Sequence, residues 1–288
     1  MDLLNYAFMQ RALLAAVLVG LTAPAIGTYL VQRRQAVMGD GIGHVAMTGV
    51  ALGFLLNTNP VWMAGMVAVV GAVGMELIRS RGKTSGDIAL AMLFYGGLAG
   101  GVMIINVAGG STASLSSYLF GGITSVAPED VTAAAVLAVF VLAVTVGLRR
   151  QLFAISQDEE FARVTGLPVR ALNLLLAVTA ALTVTVAMRI VGLLLVSAMM
   201  VIPVAAAQRV TRGFTATLTL AMAIGVVVSL TGVTTTYYLD APSGAAIVLL
   251  AIAVFVVMTA VSAPLARRRA KAARAAGEEV CSRDDVKV

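Results

Sequence analysis

Long stretches without Asp, Glu, Lys or Arg limit the fold of this chain more than any other feature. They cover residues 12–32, 41–75, 88–128, 131–148, 171–188, 190–208, 213–239 and 241–266. A helix crosses the hydrocarbon core of a bilayer in about 20 apolar residues, so runs of this length predict membrane spans. The run 41–75 is too long for one span, and Asn57-Thr58-Asn59-Pro60 supplies a turn in its middle. Composition agrees. The chain is 60% hydrophobic and 12% charged, against about 25% charged in soluble domains. Arg11 precedes an apolar run of span length, which predicts a first membrane helix rather than a cleaved leader.

The pattern predicts an all-α membrane protein with nine helices, at residues 7–32, 37–57, 60–79, 85–107, 128–148, 171–188, 190–208, 213–238 and 243–265. These fill a membrane domain over residues 1–266, followed by a basic, disordered tail over 267–288. The uncharged, Gly- and Ser-rich connection 108–127 has room for a short helix around residues 116–120, on the surface or dipping into the membrane.

Nine spans put the termini on opposite sides. Basic loops mark the cytoplasmic face. With the C-terminus inside and the N-terminus outside, 18 of the 20 Lys and Arg are cytoplasmic, and only Arg11 and Arg189 fall outside. The net charge of +6 then needs no nucleic-acid partner. The tail either lies against anionic lipid or frays in solvent. The one cysteine, Cys281, sits in that tail, so neither an intrachain disulfide nor thiolate metal ligation in the membrane is open to this chain.

Ionisable groups at membrane depth are costly and commonly functional. Most here read as structural. Glu76 lies three residues before Arg79 and pairs with it; Asp87 and Asp130 open the fourth and fifth helices, where a carboxylate suits the helix dipole. Asp40 and His44, the only histidine, are different. At i and i+4 they share one helix face. Helix from Arg34 onward would put His44 about 15 Å past that arginine, near the middle of a core about 30 Å thick. A carboxylate and an imidazole together make half of a divalent-metal site. Equally, the pair is open to a structural role, an interhelical hydrogen bond held by a buried partner. Glycines at 39, 43, 49 and 53 allow close helix approach and would also keep a passage open beside the pair. Gly96, Gly97, Gly100 and Gly101 read as close packing, and Met199-Met200 as core. Asp240 sits at the outer end of the eighth helix, as a cap or an outer gate.

Enzymatic signatures are missing. Arg81-Gly82-Lys83-Thr84 resembles the end of a phosphate-binding loop, but that motif needs glycine where Leu77 stands. No serine triad or zinc-protease motif can be drawn with a single histidine. The largest charged connection spans residues 151–170. Its centre, 157–164, predicts a short helix capped by Ser156 and ended by Gly166-Leu167-Pro168. Such an element is either a lever for a partner protein or a solvated loop.

Several segments together resemble the permease subunit of bacterial ABC importers for zinc, manganese or iron(II). They are Arg33-Arg34 with Met38-Gly39-Asp40-Gly41-Ile42-Gly43-His44-Val45-Ala46, Ser117-Tyr118-Leu119-Phe120-Gly121, the loop 158–166, residues 190–207, and Tyr238-Leu239-Asp240-Ala241-Pro242-Ser243-Gly244. They are spread over residues 10–260; the basic tail and residues 106–110 show no match. The family often has serine before the histidine, where this chain has Gly43.

The resemblance implies a type II importer-like fold, a homodimer in the bacterial cytoplasmic membrane, and an extracytoplasmic metal-binding protein. It also implies a cytoplasmic ATP-binding subunit that performs the hydrolysis, so the permease itself is not an enzyme. The loop 156–168, with Asp158, Glu159, Glu160, Arg163 and Gly166, would couple to that ATPase. Asp40 and His44 would touch the transported metal, Zn²⁺ first, then Mn²⁺ and Fe²⁺, with no permanently bound cofactor. His44 must be neutral to ligate, so transport should weaken in acid. Two other classes fit the residues alone: a proton-coupled transporter using the pair as a relay, and a membrane scaffold.

Overall fold

The computed structural model describes residues 6–80, 86–108, 119, 121, 127–239 and 242–262. Among them the regular structure is helical. The helices are α1 (Ala7–Gln32), α2 (Met38–Leu55), α3 (Pro60–Ser80), α4 (Gly86–Val107), α5 (Pro128–Leu142), α6 (Arg149–Gln157), α7 (Glu159–Val164), α8 (Val169–Ile190), α9 (Leu193–Val210), α10 (Phe214–Leu239) and α11 (Ser243–Ser262). A π-helical turn, Ala143–Gly147, joins α5 to α6.

All nine segments expected to be helical are helical among the described residues. Of the described helices, seven are long and apolar enough to cross a membrane. The two that fall short are α2, whose apolar content is cut by Asp40 and His44, and α9, whose apolar stretch is the shorter Leu195–Val210. Asp240, Cys281, the basic tail, residues 81–85 and most of the 108–127 connection lie outside the described residues, as does the Asp87 side chain.

α2 is the inner helix of the site. It packs against α3, α4, α8 and α9. Glycine makes these approaches possible, because a small residue lets backbones meet. A Cβ at Gly49 would lie 2.6 Å from Ala64 Cα, and one at Gly53 2.6 Å from Pro60 Cα, so the α2–α3 hairpin closes on glycine. The expected turn between them is a glycine-free Schellman cap: Asn57 takes φ +51°, and Thr58 N–H donates to the Gly53 carbonyl at 2.9 Å.

α1 lies across α9 and α10. Pro24 has no N–H, so the Gly20 carbonyl loses its helical donor. α10 fills that gap at Gly225, where a Cβ would stand only 2.2 Å from the same oxygen. On α1's other side, Tyr29 donates its hydroxyl to the Thr145 carbonyl in the π-helical turn. The outer faces of α3, α4 and α11 expose apolar side chains, among them Trp62, Val70, Met103 and Val256. That surface suits hydrocarbon surroundings.

Candidate functional site

α1 ends at Gln32 in a Schellman turn. Arg34 takes φ +59°, Gln35 N–H donates to the Leu30 carbonyl at 2.8 Å, and α2 begins at Met38. The helix expected from Arg34 onward is therefore a tight turn through residues 33–37, which corrects the premise of the depth estimate. α8 gives the height of the pair above Arg33. Arg33 bonds to Asn173, while the Cβ position of Gly43 faces Val184 at 3.8 Å. Eleven residues of α8 separate those two (184 − 173), a rise of about 16 Å. Asp40 and His44 thus sit well above the arginine layer, although only one to two turns into their own helix.

The pair is together as the spacing requires. His44 Nε2 and Asp40 Oδ1 are 3.9 Å apart, too long for a direct hydrogen bond. The His44 side chain is 7% exposed and that of Asp40 32%, so the imidazole is the inner member and the carboxylate the outer one. His44 Nδ1 is buried and has no hydrogen-bond partner. Asp40 accepts one long bond from Ser197 Oγ, 3.4 Å, across from α9. Asp40 also opens onto a cavity of about 520 Å³, lined with it by Val37, Leu90, Ala91, Phe94 and Tyr95. Buried polar atoms are nearly always satisfied. Here two adjacent groups keep bonding capacity unspent, and Asp40, the outer of the two, borders open space.

α4 sets the position of the imidazole. The Phe94 ring meets His44 edge-on at 4.4 Å between centroids. Gly97 packs backbone to backbone on the peptide of His44: a Cβ there would lie 2.7 Å from His44 C and 2.6 Å from Val45 N. Thr48 Oγ1 donates to the Gly97 carbonyl at 2.6 Å and fixes that contact.

The glycines do not leave a passage, contrary to expectation. Met200 Sδ lies 3.1 Å from the Cβ position of Gly39, and Leu193 Cδ1 lies 2.9 Å from that of Gly43. Packing takes those spaces, and Leu193 occupies the seat a serine at 43 would need. The opening is instead on the α4 side. Gly97, Gly100 and Gly101 pack closely as expected, while nothing lies within 4 Å of the Cβ position of Gly96. Met199 and Met200 are core residues, as expected.

No group of three or more His, Cys, Asp or Glu side chains gathers among the described residues. Among the described residues, one chain brings two such ligands together here. Asp240, the expected gate or cap, lies outside the described residues.

A second polar cluster lies at the arginine layer. Glu76 grips Arg79 through two bonds, 2.9 and 2.8 Å, as expected. The expected short helix near residues 157–164 is α7, but its cap is Asp158, which accepts from Glu160 N and Phe161 N, each at 2.9 Å. Ser156 turns inward and bonds to the Leu152 carbonyl at 2.6 Å, because α6 continues through it. Gly166, at φ +82°, closes α7 with Leu167 N–H on the Ala162 carbonyl.

Within this element the expected residues separate. Asp158 and Glu160 are exposed, and Arg163 is largely so. Glu159 points into the bundle. Its Oε2 receives both terminal nitrogens of Arg79 at 3.2 Å and that of Arg33 at 3.4 Å; its Oε1 receives Asn173 Nδ2 at 3.2 Å. Arg33 also donates to Asn173 Oδ1 at 2.8 Å. Burial lowers the Arg33 guanidinium pKa from its ordinary value; the charge of Arg79 adds to this, and Glu76 and Glu159 oppose it.

At the opposite end of the bundle, Asp130 accepts from Ala127 N at 2.9 Å as the expected opening carboxylate, and its other oxygen pairs with Arg189 at 3.0 Å. Sequence reasoning missed Ser197, Phe94, Tyr95 and Asn173. No local pattern marks them; each acts across helices far apart in the chain.

The description "ABC 3 transport family" matches residues 5–262. The manganese transport system membrane protein MntC of Halalkalibacterium halodurans is 31% identical over 254 residues, 88% of this chain and 87% of that protein. A probable iron transport system membrane protein of Haemophilus influenzae is 30% identical over 259 residues, 90% of this chain and 95% of that one. Among solved structures, PsaBC from Streptococcus pneumoniae in complex with Fab superposes with a TM-score of 0.79 at 30% identity, covering 89% of this chain and 92% of that one. A match over residues 5–262, the helical fold and these relatives agree: the chain belongs to the ABC 3 transport family.

Proposed function

We propose that this chain is the permease of an ABC importer for a divalent transition metal, and that Asp40 and His44 touch the metal in transit. One observation carries the site assignment: His44 Nε2 stands 3.9 Å from the Asp40 carboxylate without a direct hydrogen bond, and Asp40 itself lines a cavity. A hard carboxylate oxygen and a borderline imidazole nitrogen suit Mn²⁺, Fe²⁺ and Zn²⁺. Zn²⁺ leads on the residues and their resemblance; relatives named for manganese and iron move Mn²⁺ to first place.

In this reading nine helices cross the bacterial cytoplasmic membrane, including the short α2 and α9, with the N-terminus outside and the arginine layer in the cytoplasm. Two copies form the pathway and supply two Asp40 and two His44, and waters complete the shell. Incomplete coordination favours release, which a transit site requires. An extracytoplasmic metal-binding protein delivers the ion. A separate ATP-binding subunit hydrolyses ATP and meets the exposed face of α7, where Phe161 is 65% and Val164 86% exposed. Two apolar side chains on one face of a charged helix are what a protein partner would cover.

Uptake of radiolabelled Mn²⁺ by cells carrying the permease and its ATPase tests the assignment. Asp40→Ala and His44→Ala should each lower uptake at least about tenfold at equal membrane expression. Unchanged uptake in both variants overturns it. Uptake that persists without the ATPase would favour a proton-coupled carrier.

A further inference from the structure

We infer that Glu159 is a positioning residue that ties α7 to the turn leading into the helix that carries Asp40, so that movement of α7 is felt at the metal site. The inference rests on the proposed importer and goes beyond it. Loop 158–166 reads as a contact for the ATPase, yet its central acid turns away from any such partner.

The geometry divides α7 into two faces. Phe161 and Val164 face outward, and Glu160 is exposed. Glu159 and the fully buried Ala162 face the bundle. The inward carboxylate gathers four donors from three other elements: Arg33 after α1, Arg79 of α3 and Asn173 of α8, with two bonds from Arg79. Arg163, on α7 itself, adds a looser contact at 3.7 Å.

Arg33 is the member of this cluster that leads along the chain to the site. Its side chain is 5% exposed, and Glu159 is the carboxylate within 3.4 Å of it. A buried guanidinium follows its counter-charge, because separation leaves an uncompensated charge in low dielectric. Arg33 cannot move freely of α2. The turn after it is pinned by Gln35 N–H on the Leu30 carbonyl at 2.8 Å, Met38 N–H on Gln35 at 3.0 Å and Gly41 N–H on Val37 at 3.1 Å. Asp40 is the third residue of the helix that follows. The chain of contacts is therefore short: α7, Glu159, Arg33, a rigid turn, Asp40. Arg79 ties the same carboxylate to the end of α3, which packs along α2. One glutamate thus holds both elements that flank the first turns of α2.

A residue that only stabilises the fold would lower ATP hydrolysis and transport together. A residue that transmits movement would lower the number of metal ions imported per ATP hydrolysed. The test is the complete permease–ATPase complex in liposomes with the metal-binding protein, reading ⁵⁴Mn²⁺ uptake and phosphate release in the same vesicles. Glu159→Gln should lower the Mn²⁺ per ATP ratio about tenfold. Asn173→Ala removes the neutral bridge between Arg33 and Glu159 without changing charge, and should lower the ratio about threefold. Where Glu159→Gln fails to assemble, Asn173→Ala decides alone.

A wild-type ratio in the assembled variants overturns the inference while leaving the importer intact. Absence of ATP-dependent Mn²⁺ uptake by the wild-type complex overturns the importer reading and this inference with it.

Discussion

The Asp40–His44 pair and the Glu159 cluster use similar chemical groups in opposite ways. Around Glu159, two carboxylates, two largely buried guanidiniums and an amide satisfy one another, and Glu159 alone accepts four bonds shorter than about 3.5 Å. Around His44, the pair stands 3.9 Å apart, one ring nitrogen is orphaned and the single bond to Asp40 is 3.4 Å long. A buried polar group without a partner costs about 1–3 kcal/mol. The hydroxyls of Ser229, Ser243 and Thr259 are orphaned too, but among the described residues none of them stands beside a carboxylate that lines a cavity. Saturation fits the proposed role of the lower cluster as a mechanical joint, and unsaturation fits the proposed role of the upper pair as a transit site.

The sharpest way to break this contrast is to remove one member of each. Arg33→Ala should cost about 3–5 kcal/mol of stability, because it strips the counter-charge from a buried network. His44→Leu keeps the volume, breaks no hydrogen bond formed by the ring, and should cost less than about 1.5 kcal/mol. Thermal unfolding of both variants in detergent compares them. An equal loss in the two would remove the distinction.

Next in size is the contact that seats the imidazole. Gly97→Ala drives a methyl into the backbone of His44 and Val45 and should cost about 1–3 kcal/mol. Gly96→Ala, one residue away in open space, should stay within about 0.5 kcal/mol on the same unfolding assay. Ser197→Ala removes the donor to Asp40; a loss of about 1 kcal/mol would raise the Mn²⁺ concentration for half-maximal uptake about fivefold. Thr48→Val removes the hydroxyl that binds Gly97 and should cost the least of the contact-breaking changes, about 0.6 kcal/mol in unfolding.

How much of this was legible beforehand follows from range. The nine helical segments were readable because charge-free runs and turn residues such as Asn57 and Pro60 are local signals, and the observed ends fall within a few residues of those expected. The i, i+4 spacing of Asp40 and His44 is local as well. The depth of the pair was read through a helix that is really a turn, because an arginine in the left-handed region at position 34 leaves no composition signal. The glycines of α2 were read as a passage, yet whether a missing side chain makes a hole depends on what the neighbour sends into it. Leu193 and Met200 answered that from another helix.

The sequence by itself determined the all-helical membrane architecture, the candidate ligand pair and the family, since hydrophobic run length and residue type suffice for these. Only the tertiary structure decided that α4 seats His44, that Ser197 addresses Asp40, and that Glu159 faces Arg33 and Arg79 rather than solvent. Those facts rest on contacts between residues as much as 157 positions apart. Short-range pattern cannot hold such pairings, because they follow from which faces the helices turn to one another.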